Sequence, residues 1–143
     1  MSAAEQLGIS EELLQLIDRA LNQALPILRE SGEAFNPFVL LEGGERPQLQ
    51  RVMAPEPEQA VEAARTLIGR LPGDVLRYAL AFDGRITDDD GEKGDAIIVE
   101  AGERGSDFGV VVGLRYRLVE DGPAEEVGNP TSLGRSGNYF AAG

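Results

Sequence analysis

Two stretches between Val75 and Leu118 carry apolar side chains at every second position, a pattern that no helix can bury on one side. In VLRYALAFDGRI, residues Leu76, Tyr78, Leu80, Phe82 and Ile86 share a face opposite Val75, Arg77, Ala79, Ala81 and Asp83. In FGVVVGLRYRL, Phe108, Val110, Val112, Leu114, Tyr116 and Leu118 stand opposite Gly109, Val111, Gly113, Arg115 and Arg117. Successive side chains of a strand point to opposite faces, so both stretches read as strands. Residues 96–101, Ala-Ile-Ile-Val-Glu-Ala, lie between them as a short strand flanked by polar turns. The three predict an antiparallel meander.

The first half of the chain has another period. Leu13, Leu16, Ile17, Ala20, Leu21, Ala24, Leu25 and Leu28 mark one helical face over residues 10–31. Ser10 can cap that helix, Glu11 and Glu12 suit its positive end, and Gly32 supplies a stop. Pro26 removes a backbone donor and predicts a kink or an end to the regular part. Residues 55–71 repeat Ala60, Val61, Ala64, Leu67, Ile68 and Leu71 on one face and end at Pro72-Gly73. Between the helices, FNPFVLLEGGERPQLQRVM holds two short apolar runs around Gly43-Gly44 and reads as a β-hairpin. Pro37 places the start of its first strand at an edge or a bulge.

The expected order is therefore α-β-β-α-β-β-β in one α+β domain spanning 1–143. Its core covers about residues 10–118, and 119–143 form a turn-rich extension with a short ordered piece near Tyr139-Phe140. Both helices are expected on one face of a five-stranded antiparallel sheet. The other face would carry Ala79, Ala81, Gly109, Val111 and Gly113 among Arg77, Arg115 and Arg117. That mixture is too apolar for open water and too charged for a dry core. A homodimer contact, a partner groove or coverage by the C-terminal tail would each reconcile it.

Composition narrows function by exclusion. The chain has no cysteine and no histidine, which removes disulfides, thiolate nucleophiles, Cys or His zinc sites and imidazole acid–base chemistry. Its formal charge is -12, and of its 13 basic residues only Lys93 is a lysine. Such a surface repels phosphate backbones and anionic membranes and favours a basic partner. Met1 precedes no basic, apolar leader, so the expected location is cytoplasmic.

The densest chemistry lies in TDDDGEKGDAIIVE, residues 87–100. With Gly91 at position six of a calcium loop, Asp88 and Asp90 fall at three and five, but Ile86 and Ile97 occupy one and twelve. Both must be oxygen ligands, so the stretch reads as a solvated turn between strands and no metal is assigned. The tail around Gly128–Ser136 fails as a phosphate loop in spacing, in having Arg135 for lysine, and in lacking a following helix. Asp95, Glu100, Glu103 and Asp107 are the candidates for carboxylate catalysis, all expected near turns. No serine has a histidine to activate it, and Lys93 among acids keeps its proton.

The element order is similar to that of the roadblock family over roughly residues 10–118. Those small adaptor domains pair through helix and sheet edges and scaffold small GTPases and motors. The segments Phe35-Asn36-Pro37-Phe38, Tyr78 to Gly84 and Asp95 to Glu100 also look like a group of small bacterial proteins. These share an aromatic-Pro-Phe first strand and a Gly-Asp-Ala-Ile-x-Val-Glu strand; no activity attaches to them and no functional residue carries over.

The resulting expectation is a non-enzymatic protein-binding or homodimeric adaptor module without cofactor, catalytic residue or nucleic-acid partner. Arg77, Arg115, Arg117 and Tyr139 would line its contact face, since arginine and aromatic side chains carry much of the energy of interfaces. The alternatives are an immunity-like inhibitor that meets a basic partner through Asp88, Asp89, Asp90 and Asp95, and a small carboxylate enzyme.

Overall fold

The computed structural model describes residues 3–31, 37–44, 49–87, 91, 93–117 and 125–142. Helix α1 (Ala3–Leu7) turns at Gly8 into α2 (Glu11–Ser31), followed by strands β1 (Phe38–Gly43) and β2 (Leu49–Arg51). Helix α3 (Pro57–Gly69), strands β3 (Val75–Thr87), β4 (Lys93–Glu103), β5 (Gly109–Arg117) and β6 (Glu125–Ser136), and a short 3-10 turn (Tyr139–Ala142) complete the order. The architecture is α+β with an antiparallel sheet, as expected. Among the described residues that sheet has six strands rather than five, in the order β2-β1-β3-β4-β5-β6.

The sixth strand comes from the stretch expected as a turn-rich tail. Every β6 side chain whose burial is described is exposed or half-exposed, so no apolar alternation marks it. Gly128 (φ 79°), Pro130 and Gly134 (φ 121°) interrupt it, and its register against β5 shifts twice. These are the devices by which an edge strand is kept irregular.

Local signals explain the other elements. Ser10 Oγ accepts the Leu13 N–H at 3.1 Å at the start of α2. Helix α2 runs on past Pro26 to Ser31 instead of ending there, held by a continuous buried stripe from Leu13 to Leu28; Gly32, its expected stop, lies outside the described residues. Pro57 opens α3, where a missing N–H costs nothing. Gly43 and Gly44 both take positive φ (93° and 77°) at the end of β1, where the register against β3 shifts and a Cβ at Gly43 would stand 2.7 Å from the Asp74 carbonyl oxygen.

The two long helices lie on opposite faces of the sheet, which corrects the one-faced arrangement. Leu13, Leu16, Ile17, Leu21 and Leu28 of α2 pack on Phe38, Leu40, Ala79, Ala81, Ile97, Val99 and the even positions of β5. Ala64 and Ile68 of α3 pack on Val39, Leu41, Tyr78 and Leu80. The register makes this necessary. Ala79 pairs with Ala101 and Ala101 with Val110, so the small residues of β3 share a face with Val110, Val112, Leu114 and Tyr116, not with Gly109, Val111 and Gly113. Both faces of β3 are buried as a result.

Burying one large aliphatic side chain stabilises by about 1.5–3 kcal/mol. Helix α2 contributes five that are almost wholly buried, whereas α3 contributes Ile68 with Ala60 and Ala64. Hydrocarbon therefore fixes α2 far more firmly than α3.

On the α3 face the Tyr78 ring lies flat across Gly102, its cross-strand partner. A Cβ at Gly102 would stand 2.6–2.7 Å from the phenol oxygen and ring carbons. Gly102→Ala is expected to lower stability by about 1–3 kcal/mol through overpacking. Gly73→Ala, where nothing lies within 4 Å, is expected to stay within about 0.5 kcal/mol; urea unfolding midpoints of the two variants check the contrast.

Candidate functional site

Strand β4 is hydrocarbon from Ala96 to Val99 and then places Glu100 on the α3 face, opposite Leu80. The residue is only 7% exposed. A carboxylate withdrawn that far from water must be met by hydrogen-bond donors and a counter-charge. Arg65 of α3 supplies two: Nε donates to Oε1 at 3.0 Å and Nη2 to Oε2 at 2.8 Å. The Tyr139 hydroxyl supplies a third, to Oε1 at 2.7 Å. Arg65 also pairs through Nη1 with Glu62, one turn back on the same helix.

The 3-10 turn is held to this cluster by contacts on both sides. Tyr139 stacks on Tyr78 with ring centroids 5.5 Å apart and donates its backbone N–H to the Tyr78 oxygen at 3.1 Å. Phe140 meets Tyr78 edge-on at 5.0 Å and lies under Arg104, which donates to the Val75 and Pro72 carbonyls. Asn138, buried like Glu100, donates to the Glu103 and Ser106 carbonyls and accepts the Phe140 N–H. Hydrogen bonding to Glu100 raises the Arg65 pKa above its ordinary range. Burial pushes Tyr78 up to about 12, and burial together with Glu100 pushes Tyr139 in the same direction.

Beside Arg65 a cleft of about 330 Å³ opens between the first two turns of α3 and the end of the sheet. Pro37, Pro57, Val61 and Phe82 give it a hydrocarbon lining, and Glu58 and Glu62 stand on its α3 side. Glu58, Val61, Glu62 and Arg65 are one stripe of the helix, spaced by three and four residues. Phe82 lies one position beyond the last β1–β3 pair, Phe38 with Ala81, and shares the cleft with Pro37, the residue before β1. Asp83 also borders the cleft, but its carboxylate accepts the Tyr116 hydroxyl at 2.9 Å across β4. Desolvation raises its pKa against the opposing effect of that hydrogen bond.

The residues singled out from the sequence are dispersed. Arg77 lies on the α2 side, tied to Glu103 and to Glu42 Oε1 (2.6 Å), with Ser10 Oγ donating to the same Glu103 carboxylate at 2.9 Å. Arg115 is on the α3 side with its guanidinium across Gly94. Arg117 is exposed and paired with Glu125 at 2.8 Å. Only Tyr139 belongs to the Glu100 cluster. Asp95 pairs with Arg85 at 3.4 Å on the exposed end of the β3–β4 hairpin; Asp88, Asp89 and Asp90 lie outside the described residues.

Glu100, expected near a turn, is in mid-strand. An acid inside the run Ile97-Ile98-Val99-Glu100-Ala101 was the signal that could have marked it. Glu58, Val61, Glu62 and Phe82 were missed because each reads as an ordinary helix or strand residue until the fold brings them together. Among the described residues no group of three or more acids could hold a metal ion, and no helix is long and apolar enough to cross a membrane. Comparison with protein-family models, with curated proteins and with solved structures finds no match.

Two predictions test the cluster. Glu100→Ala is expected to cost about 3 kcal/mol, the low end for a broken buried pair because Arg65 keeps about a third of its side chain in solvent; chemical denaturation measures it. The folded state favours the protonated phenol of Tyr78, so that contribution is complete below its ordinary pKa of 10.0 and is lost as pH rises through about 12. Melting temperature should fall across that window, from a lower start but less steeply in Tyr78→Phe.

Proposed function

We propose that this protein is a non-enzymatic binding module whose contact surface is the cleft between α3 and the sheet, and that its partner is a basic protein. The observation that carries this reading is the composition of the cleft, a hydrocarbon lining bordered by carboxylates on a chain of formal charge -12. Apolar walls supply binding energy, and the surrounding negative potential speeds encounter with a positive partner. The interior favours binding over catalysis. Glu100 has both oxygens engaged by Arg65 and Tyr139, which leaves it poorly disposed to act as a base or nucleophile.

Self-association is the lesser reading. Pairing through the β6 edge is opposed by Pro130, by the positive φ of Gly128 and Gly134, and by Glu125 and Glu126. An exposed Leu133 is what favours a face-to-face dimer instead.

Immobilised protein exposed to a cell lysate at low and high salt tests the reading. A captured species is expected whose yield falls severalfold in Val61→Arg and at high salt, while Ser132→Arg on the opposite face leaves it unchanged. Melting curves confirm that both variants are folded. A captured set indifferent to Val61→Arg overturns the assignment, and a concentration-dependent dimer abolished by Leu133→Asp replaces it with self-association.

A further inference from the structure

The half-exposed ring of Phe82 differs from the other half-exposed phenylalanines of the described chain. Phe108 carries the Arg135 guanidinium 3.8 Å from its centroid, and Phe140 carries that of Arg104 at 4.1 Å. Arg65 stands 5.6 Å from the Tyr139 ring. Among the described residues no cation stands over Phe82, although its ring lines a cleft bordered by Glu58, Glu62 and Asp83. Arg65, the cation lining the cleft among the described residues, has its charge engaged by Glu100 and Glu62.

We infer that the cleft receives an arginine side chain of the partner, stacked on Phe82 with its methylenes along Val61 and Pro57 and its charge balanced by Glu58 together with Glu62, which it shares with Arg65. This rests on the protein-binding reading above. At about 330 Å³ the cleft is near the lower limit of small-ligand sites, roughly 300–1,000 Å³, and admits one extended side chain rather than a helix. A guanidinium is planar, weakly hydrated and permanently charged, and it lies flat on an aromatic face while directing N–H donors outward to carboxylates. A lysine ammonium has no flat face and holds its water more tightly. The aromatic ring therefore discriminates between cations, and the glutamates attract either one.

Amide-resolved NMR titration of the full chain with three capped peptides, Gly-Arg-Gly, Gly-Lys-Gly and Gly-citrulline-Gly, tests this. The arginine peptide is expected to shift the Val61, Glu62 and Phe82 amides saturably and to bind about fivefold more tightly than the lysine peptide. The citrulline peptide, uncharged and of nearly the same shape, should leave those amides unmoved. Phe82→Leu should remove the preference for arginine over lysine, and the exposed Glu58→Gln, which leaves the apolar packing intact, should weaken both.

Equal shifts with citrulline, or an arginine preference that survives Phe82→Leu, overturn the inference. Loss of a captured partner in Val61→Arg without any arginine preference keeps the binding cleft and removes its arginine; failure of both removes the binding cleft as well.

Discussion

One ion pair determines where α3 sits. The helix has little hydrocarbon with which to choose its position: Ile68 is its only large, fully buried side chain, beside two alanines. A stripe that small tolerates sliding by a turn. The bidentate contact of Arg65 with Glu100 does not, because a fork of N–H donors matches a carboxylate in one orientation and a buried carboxylate cannot be left unmatched. Such a pair orients more than it stabilises. Tyr139 joins the same oxygen from the end of the described chain, so residues separated by up to 74 positions, from Arg65 to Tyr139, converge on one group. The cleft follows from this, since its α3 side is the two turns that precede Arg65 in the helix it anchors.

How much of this the sequence could show depends on which physical signal each part leaves. Periodicity reports that a segment has an apolar stripe, and it placed α2, α3, the β1–β2 hairpin and the β3–β5 meander. It does not report which side of a sheet a helix covers. The evidence for two covered faces was nevertheless present in β3, where Tyr78-Ala79-Leu80-Ala81-Phe82 is apolar at every position. A strand with one wet face alternates, whereas a strand buried on both sides reads as a continuous apolar run. The alanines of β3 would form a poorly covered outer face only if the odd positions of β3 aligned with the odd positions of β5. The actual register aligns them with the even ones, and a change of parity moves a whole set of side chains across the sheet.

Strand β6 and the cleft escaped detection for different reasons. An edge strand whose described side chains are exposed or half-exposed has no hydrophobic pattern, and its glycines and proline resemble turn signals because they serve to disrupt pairing with other chains. The cleft has no local signature at all. Its helix stripe and Phe82 are distant in sequence, and Phe82 lies one position beyond the last β1–β3 pair. Tyr139 reads from the sequence as an interface aromatic, but its hydroxyl is directed inward to Glu100. Arg77 reads from the sequence as a contact-face arginine, yet its charge is taken up by Glu42 and Glu103.

The acidity of the chain also gains a structural explanation. Several of its few bases are engaged internally or by their own strand neighbours: Arg65 by Glu100, Arg77 by Glu42 and Glu103, Arg104 by two carbonyls and a ring, Arg117 by Glu125. With 13 bases set against 25 acids, each arginine committed to a fixed contact leaves less positive charge free to neutralise the outer surface. The surplus on that surface is then carboxylate, and in the cleft it borders hydrocarbon. Water screens exposed charges strongly, but a cation that enters beside Phe82 displaces water from both itself and the nearby carboxylates, where the attraction per charge is larger. Salt should therefore weaken the long-range approach of a basic partner more than the short-range contact inside the cleft, which is how charge and shape divide the work of recognition in this fold.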